Sequence, residues 1–295
     1  MDINEKFFKY CKKRTDSYFN NLNKICISYD MDVIHDFRTD IKKLRSLFAL
    51  SKMIDRNFAQ KSQSENFIPN VRKYFKVTGR IREGQLILFH LGNSGLSEDI
   101  LTDLNASVLE TIKKHQEEIS VLINRSSLTE HLSLIIDFEK LSRSYKGKEI
   151  LKKCNKLFQK EIRTVISLSA DFRDTEVFHK IRKHLKNIVL TGNILVKFNR
   201  DKKFRQFLRL CRSEEIEIGE WHDNVIFDQY LQEQLSININ KNEYFISSLI
   251  KLKAETQKKN FEMLLSLYKK SGKGLLLKDI IQKKKTFRKI RKVFL

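Results

Sequence analysis

A pattern of mixed residue types occurs twice in the chain, and both copies have the spacing of an amphipathic helix. The first copy is DVIHDFRTDIK at residues 32–42, and the second is EVFHKIRKHLK at residues 176–186. Each reads acid, Val, apolar, His, any, apolar, Arg, any, any, apolar, Lys. Because chance rarely repeats a pattern of this length at the same offsets, the chain is predicted to contain two related helical halves.

The basic residues of each copy fall on one narrow face of the helix, since successive residues turn by about 100°. In the first copy this face carries His35, Arg38, Lys42 and Arg45, and an apolar face with Ile34, Phe37, Ile41, Leu44 and Phe48 flanks it. In the second copy it carries His179, Arg182 and Lys186, and Val189 stands where the first copy has Arg45. No acid of either helix lies on its basic face, whereas a structural ion-pair surface interleaves acids with bases.

These side chains suit phosphate oxygens, because Arg offers a planar fork of donors, Lys a compact charge and His one or two donors. The two helices therefore predict a two-sided site for a polyanion. The alternative is that the histidines are satisfied in a core and the bases form a solvated face. Recurrence of the pattern in both halves argues against that alternative.

The charge balance of the whole chain points the same way. Lys and Arg number 58 against 36 for Asp and Glu, so the formal net charge is +22. Such a charge repels itself, and an anionic partner relieves the repulsion: a nucleic acid, a phosphate polymer or an anionic membrane. A basic surface without a partner is the other interpretation.

Helix breakers are scarce, which predicts an all-α protein. The chain has one proline, Pro69, and nine glycines, and its apolar residues recur at helical spacing. We expect a single domain of two antiparallel bundles with about four long helices each. Residues 1–146 form the first half, 147–282 the second and 283–295 a basic tail, which either extends the binding surface or touches membranes or RNA. Two local expectations are a loop over residues 60–70 and two separate helices over 202–212 and 216–235.

The four cysteines, Cys11, Cys26, Cys154 and Cys211, form no CxxC pair and have no zinc-ligand spacing to a histidine. They are interpreted as small buried hydrophobic residues in a reducing compartment. The N-terminus lacks an apolar signal-peptide core, and no run approaches the ~20 apolar residues that cross a bilayer. We therefore expect a soluble, cytoplasmic protein.

A second pair of segments supports the duplication. Residues 78–83, TGRIRE, and 218–223, IGEWHD, share a glycine, two residues, a basic residue and an acid. The glycine would allow a close approach of helices while the acid pins a neighbouring base. A packing glycine beside a surface ion pair explains the pattern equally well.

Together the histidine helices and the glycine motifs resemble the CHAD family, the conserved histidine α-helical domain. The resemblance covers most of the chain and implies two pseudo-symmetric helical bundles with a basic groove between them, which binds inorganic polyphosphate. It implies that the ligand-facing residues are His35, Arg38, Lys42, Arg45, Arg82, His179, Arg182 and Lys186. The chain departs from the family pattern in two places: Arg82-Glu83 replaces an Arg-Asp pair, and Val189-Leu190 replaces an Arg-Tyr pair.

The sequence thus predicts non-catalytic binding of inorganic polyphosphate, with no cofactor and no metal, in the cytoplasm and in association with polyphosphate granules. Phosphate or sulfate ions would fit the same groove. Nucleic-acid binding is the alternative. A polyphosphate or triphosphate hydrolase is less favoured, because Glu215-x-Glu217 is followed by Gly219 and not by the Lys of a tunnel enzyme, and these acids are interpreted as a helix start. The oligomeric state stays open.

Overall fold

The computed structural model describes residues 2–58, 67–123, 128–169, 175–198 and 201–272, and within these residues it consists of nine α-helices and no strand. The predicted all-α class is therefore confirmed. The helices are α1 (Ile3–Ile25), α2 (Met31–Ile54), α3 (Phe67–Gly92), α4 (Glu98–Ile123), α5 (Leu128–Ser144), α6 (Gly147–Leu168), α7 (Thr175–Val196), α8 (Lys202–Ile237) and α9 (Glu243–Gly272).

The helices form two bundles with the same packing order. In the first bundle α1 packs on α2, α2 on α3 and α3 on α4, and in the second α6 packs on α7, α7 on α8 and α8 on α9. Helix α5 has no counterpart in this scheme, because it follows α4 and packs on α1. The bundles meet where α2 contacts α6 and α7 and where α3 contacts α8.

The apolar faces read from the sequence are the faces that the structure buries. Ile34, Phe37, Ile41 and Leu44 of α2 are fully buried, and the corresponding Phe178, Ile181, Leu185 and Ile188 of α7 are buried as well. Aromatic rings fill the first core, where Phe37 stacks on Tyr18 with a centroid separation of 5.3 Å. With the apolar faces directed inward, the adjacent basic faces of α2 and α7 lie at the junction of the two bundles.

Three local predictions are wrong. Residues 202–237 form one continuous helix, so Glu214, Glu215 and Glu217 lie in its interior and do not start a helix. Pro69 lies in the first turn of α3, where a missing backbone N–H is tolerated, and the predicted loop therefore ends before Phe67. Cys26 is exposed, although the other three cysteines are buried.

Residues 60–66 of the predicted loop and the basic tail at residues 283–295 lie outside the described residues. In the part of the chain that is described, no helix combines the length and the apolar character that a membrane span requires.

Candidate functional site

A cavity of about 870 Å³ lies between the two bundles, lined by residues of α2, α3, α6, α7 and α8. Every site residue named from the sequence lines it: His35, Arg38, Lys42, Arg45, Arg82, His179, Arg182 and Lys186. The two repeated helices thus place their basic faces on one shared space.

The lining of the cavity is strongly cationic. Nine lysines and arginines line it against three carboxylates, which belong to Glu83, Glu161 and Asp223. Two of these carboxylates are engaged by neighbours: Glu161 Oε2 accepts a hydrogen bond from His184 Nδ1 at 2.6 Å, and Glu83 Oε2 lies 3.6 Å from Arg80 Nη1. The carboxylates leave most of the cationic charge uncompensated.

Arg38 is held against the backbone of α3 by contacts that carry no negative charge. Its Nη1 donates a hydrogen bond to the carbonyl oxygen of Phe75 at 2.7 Å, and its guanidinium carbon lies 4.2 Å from the centre of the Phe75 ring. A Cβ on Gly79 would come within 2.9 Å of Arg38 Nη1. The glycine of the first motif therefore makes room for an arginine side chain.

Arg182 occupies the equivalent place in the second bundle, but its neighbour is an acid. A Cβ on Gly219 would come within 2.8 Å of Arg182 Nη2, so this glycine has the same use. Glu215 Oε1 lies 3.9 Å from Arg182 Nε and 3.5 Å from Lys186 Nζ, and each of the three side chains is about one quarter exposed or less. The second-bundle bases therefore share one carboxylate.

Two guanidinium nitrogens in the cavity lining are buried without a hydrogen-bond partner in the described part of the chain. They are Nη1 of Arg82 and Nε of Arg182. Buried donors are nearly always paired, and an unpaired one costs about 1–3 kcal/mol. One nitrogen comes from each bundle, so the cavity offers donors from both halves to an incoming anion.

Burial and mutual repulsion lower the affinity of several cavity groups for protons. Burial, followed by the charges of Lys186 and Arg38, lowers the pKa of Lys42 to about 7. Burial, followed by the charge of Arg82, lowers the pKa of Arg38 to about 10, so that Arg38 remains charged at neutral pH. The cavity is therefore electrostatically strained when it holds no anion.

The cavity histidines respond in the same direction. Burial and then nearby cations lower the pKa values of His35 and His179 below their ordinary value. Burial and the charge of Arg182 lower the pKa of His222 to about 4, and its ring lies 4.9 Å from the ring of His179. Since an anion favours the charged form of a neighbour, bound phosphate would reverse these shifts.

Sequence reasoning missed several lining residues: Phe75, Lys76, Arg80, Lys183 and His222. A signal was present for three of them. His222 follows Gly219 by three residues, as Arg82 follows Gly79; Lys76 lies one turn before Gly79, and Arg80 lies one turn after Lys76. Nothing in the sequence marked Phe75 as a partner of Arg38, because an aromatic residue at helical spacing is usually part of the core.

The described residues contain no group of three or more His, Cys, Asp or Glu side chains arranged to hold a metal ion.

Comparison with known proteins agrees with this architecture. The family profile described as the CHAD domain matches residues 9–232. The fold is similar to that in the crystal structure of the CHAD domain from the plant Ricinus communis, with a TM-score of 0.72 and 16% sequence identity, over 92% of this chain and 91% of that chain. The chain matches no curated protein sequence.

Proposed function

The chain belongs to the CHAD domain family, and we propose that it binds inorganic polyphosphate, without catalysis, in the cavity between its two bundles. The mechanism is electrostatic. Cations along the cavity replace the counterions of the phosphate chain, and charge-assisted hydrogen bonds from arginine and lysine fix its position.

The observation that carries the proposal is a pair of buried guanidinium nitrogens that have no hydrogen-bond partner among the described residues, Arg82 Nη1 and Arg182 Nε. A folded protein leaves few such donors unsatisfied, and these two lie in one cationic cavity on opposite bundles. A ligand with closely spaced acceptor oxygens would satisfy both. Polyphosphate has acceptor oxygens and a negative charge on every unit of its chain, so it matches the cavity along its length.

The lining favours a phosphate polymer over a nucleic acid. Proteins that bind single-stranded nucleic acids stack the bases on exposed aromatic rings. Among the Phe, Tyr and Trp residues that the structure describes, only Phe75 lines the cavity, and its ring is already contacted by Arg38 at 4.2 Å and by Arg45 at 5.5 Å. The cavity thus offers positive charge for a chain of phosphates and little aromatic surface on which nucleic-acid bases could stack.

The test is a titration with long-chain polyphosphate over a series of salt concentrations, with wild type and the triple variant His35→Gln, Arg38→Gln and Arg182→Gln. We expect wild-type affinity to fall steeply with salt, and the variant to bind about 1,000-fold more weakly, because three contacts are lost and charged hydrogen bonds contribute about 1.5–3 kcal/mol each. The control is Lys113→Gln with Lys114→Gln on the exposed side of α4, which should bind like wild type.

Unchanged affinity in the triple variant would refute the proposed site. Stronger binding of RNA than of polyphosphate at equal phosphate concentration would favour the nucleic-acid alternative. Release of phosphate from polyphosphate, abolished by changing one acid of the lining, would show that the protein is a hydrolase.

A further inference from the structure

The outer face of α6 carries a row of cations outside the central cavity. Five exposed side chains fall on one stripe, within an arc of about 100° at the helical repeat. We name it the α6 basic stripe, and it comprises Lys152, Lys153, Lys156, Lys160 and Arg163. No acid lies on this stripe between Lys152 and Ser167, since the one acid of that stretch, Glu161, is buried on another side of the helix.

The equivalent helix of the first bundle is α1, and its surroundings differ from those of α6. Helix α5 packs on α1, and two lysines of α1 are in ion pairs: Lys9 Nζ lies 3.0 Å from Glu5 Oε1, and Lys12 Nζ lies 2.9 Å from Asp16 Oδ2. The partners of α6 are α1, α2 and α7, and none of the described helices takes the place that α5 takes on α1. The α6 basic stripe is therefore exposed, whereas α1 is partly covered by α5 and has two of its lysines paired.

A second cavity, of about 450 Å³, lies on this stripe. It is lined by Lys156, Lys160, Arg163, Thr164, Ser167 and Met53. None of its three cations forms an ion pair with a residue that the structure describes. Like-charged side chains around one depression repel each other, and an anion in the depression would relieve the repulsion.

The second cavity adjoins the central one along the same two helices. On α2, Ala49 lines the central cavity and Met53, one turn later, lines the second. On α6, Leu157 and Glu161 line the central cavity, and the residues directly before them, Lys156 and Lys160, line the second. A chain that leaves the central cavity along the contact of α2 with α6 reaches the stripe within about one helical turn.

We propose that the α6 basic stripe is a second polyanion-binding site, which holds the phosphates of a chain too long for the central cavity. The ligand is the polyphosphate of the proposed function, so the inference rests on that function. Among the residues that the structure describes, the lining of this second cavity has no aromatic ring for base stacking, and its one apolar residue is Met53, too little for membrane insertion. The site would make the affinity depend on chain length.

The test compares tripolyphosphate with a long polyphosphate on the variant Lys156→Gln, Lys160→Gln and Arg163→Gln. We expect about tenfold weaker binding of the long chain and unchanged binding of tripolyphosphate, because only the long chain would release counterions from the stripe. The matched control removes three exposed lysines elsewhere, Lys113→Gln, Lys114→Gln and Lys251→Gln. This control lowers the net charge by the same amount, and its affinity for the long polyphosphate should fall by less than twofold.

Thermal unfolding of both variants should match wild type, since all six replaced side chains are exposed. An equal loss of affinity in the control variant would show that the effect depends on net charge alone, and it would overturn the inference. Unchanged binding of the long chain by the stripe variant would also overturn it, and if the central-cavity variant then still loses affinity, the proposed function stands. Displacement of the long polyphosphate from the stripe by RNA at equal phosphate concentration would overturn the assignment of the ligand.

Discussion

The equivalent arginines of the two bundles, Arg38 and Arg182, have different kinds of neighbour. Phe75 lies four residues before Gly79, and Glu215 lies four residues before Gly219, so the two occupy equivalent positions. Phe75 holds Arg38 through its ring and its carbonyl oxygen, without a countercharge. Glu215 holds Arg182 and Lys186 with a carboxylate. The residue at this position therefore decides whether the equivalent arginine of a bundle has an ion-pair partner on the neighbouring helix.

The difference has a consequence for binding. An anion that enters beside α2 meets Arg38 and Lys42, which form no ion pair with a described residue, whereas an anion beside α7 competes with Glu215. Burial and mutual repulsion lower the pKa of Lys42 to about 7 and that of Arg38 to about 10, and burial also lowers the pKa of Lys186 in the second bundle. An anion bound beside α2 relieves the repulsion without displacing an ion-pair partner. We therefore expect the first bundle to supply most of the binding free energy, and four predictions test this asymmetry.

The largest effect is expected from removing the bases of one bundle at a time. The variant Arg38→Gln with Lys42→Gln should bind polyphosphate about 100-fold more weakly, because two charged contacts of about 1.5–3 kcal/mol each are lost. The matched variant of the second bundle removes its whole ion-pair cluster, with the substitutions Arg182→Gln, Lys186→Gln and Glu215→Gln. Its affinity for polyphosphate should fall by about tenfold. Titration at one salt concentration measures both, and an equal or larger loss in the second bundle would contradict the asymmetry.

The substitution Phe75→Glu gives the first bundle the residue of the second. The variant loses the cation–π contact and gains a competing carboxylate beside Arg38, so affinity should fall by about 30-fold. Phe75→Leu is the control, since it removes the ring without adding charge. Its affinity for polyphosphate should fall only a few-fold. The idea that charge at this position sets affinity fails if the two variants bind equally well.

Affinity should also depend on pH through Lys42, whose pKa is about 7 in the empty cavity. Bound phosphate raises that pKa, so the contribution of Lys42 is complete below pH 7 and declines as pH rises toward the pKa of the complex. Between pH 6 and pH 8 the affinity should fall by about tenfold, with uptake of up to one proton on binding. Calorimetry in buffers of different ionisation enthalpy measures the uptake, and Lys42→Gln should abolish this part of it. The same pH dependence in that variant would assign the titration to another group.

The smallest effect is a gain. Glu215→Gln removes the competitor of the anion, so affinity should rise by about fivefold, equivalent to about 1 kcal/mol. The empty variant should melt at a lower temperature, because Arg182 and Lys186 lose their countercharge, and polyphosphate should raise its melting temperature by more than in wild type. Weaker binding by this variant would mean that Glu215 positions the bases for the ligand and does not compete with it.

The sequence predicted the parts of this molecule that depend on periodicity. Basic and apolar faces of α2 and α7 follow directly from helical spacing, and the seven basic residues named on these faces line one cavity, together with Arg82 from the first glycine motif. The continuity of α8 was missed because Glu214, Glu215 and Glu217 look like a helix start, although the helix runs through them.

Contacts between helices could not be read in the same way. Glu215 was recognised as an acid in the sequence, but its distance from Arg182 and Lys186 depends on how α8 packs against α7. The role of Gly79 was predicted only in part. We expected a close approach between two helices, whereas the structure shows a close approach between an arginine side chain and the backbone of a helix. The low pKa of Lys42 arises from burial and from Lys186 of the other bundle, neither of which a single helix reveals.

The most direct test of the central claim is a structure of the protein with bound polyphosphate. We predict phosphate oxygens within hydrogen-bond distance of Arg82 Nη1 and Arg182 Nε, the chain against Arg38 and Lys42, and Glu215 moved away from Arg182. A chain bound only on the outer surface, with both nitrogens still unpaired and Glu215 in place, would contradict the account.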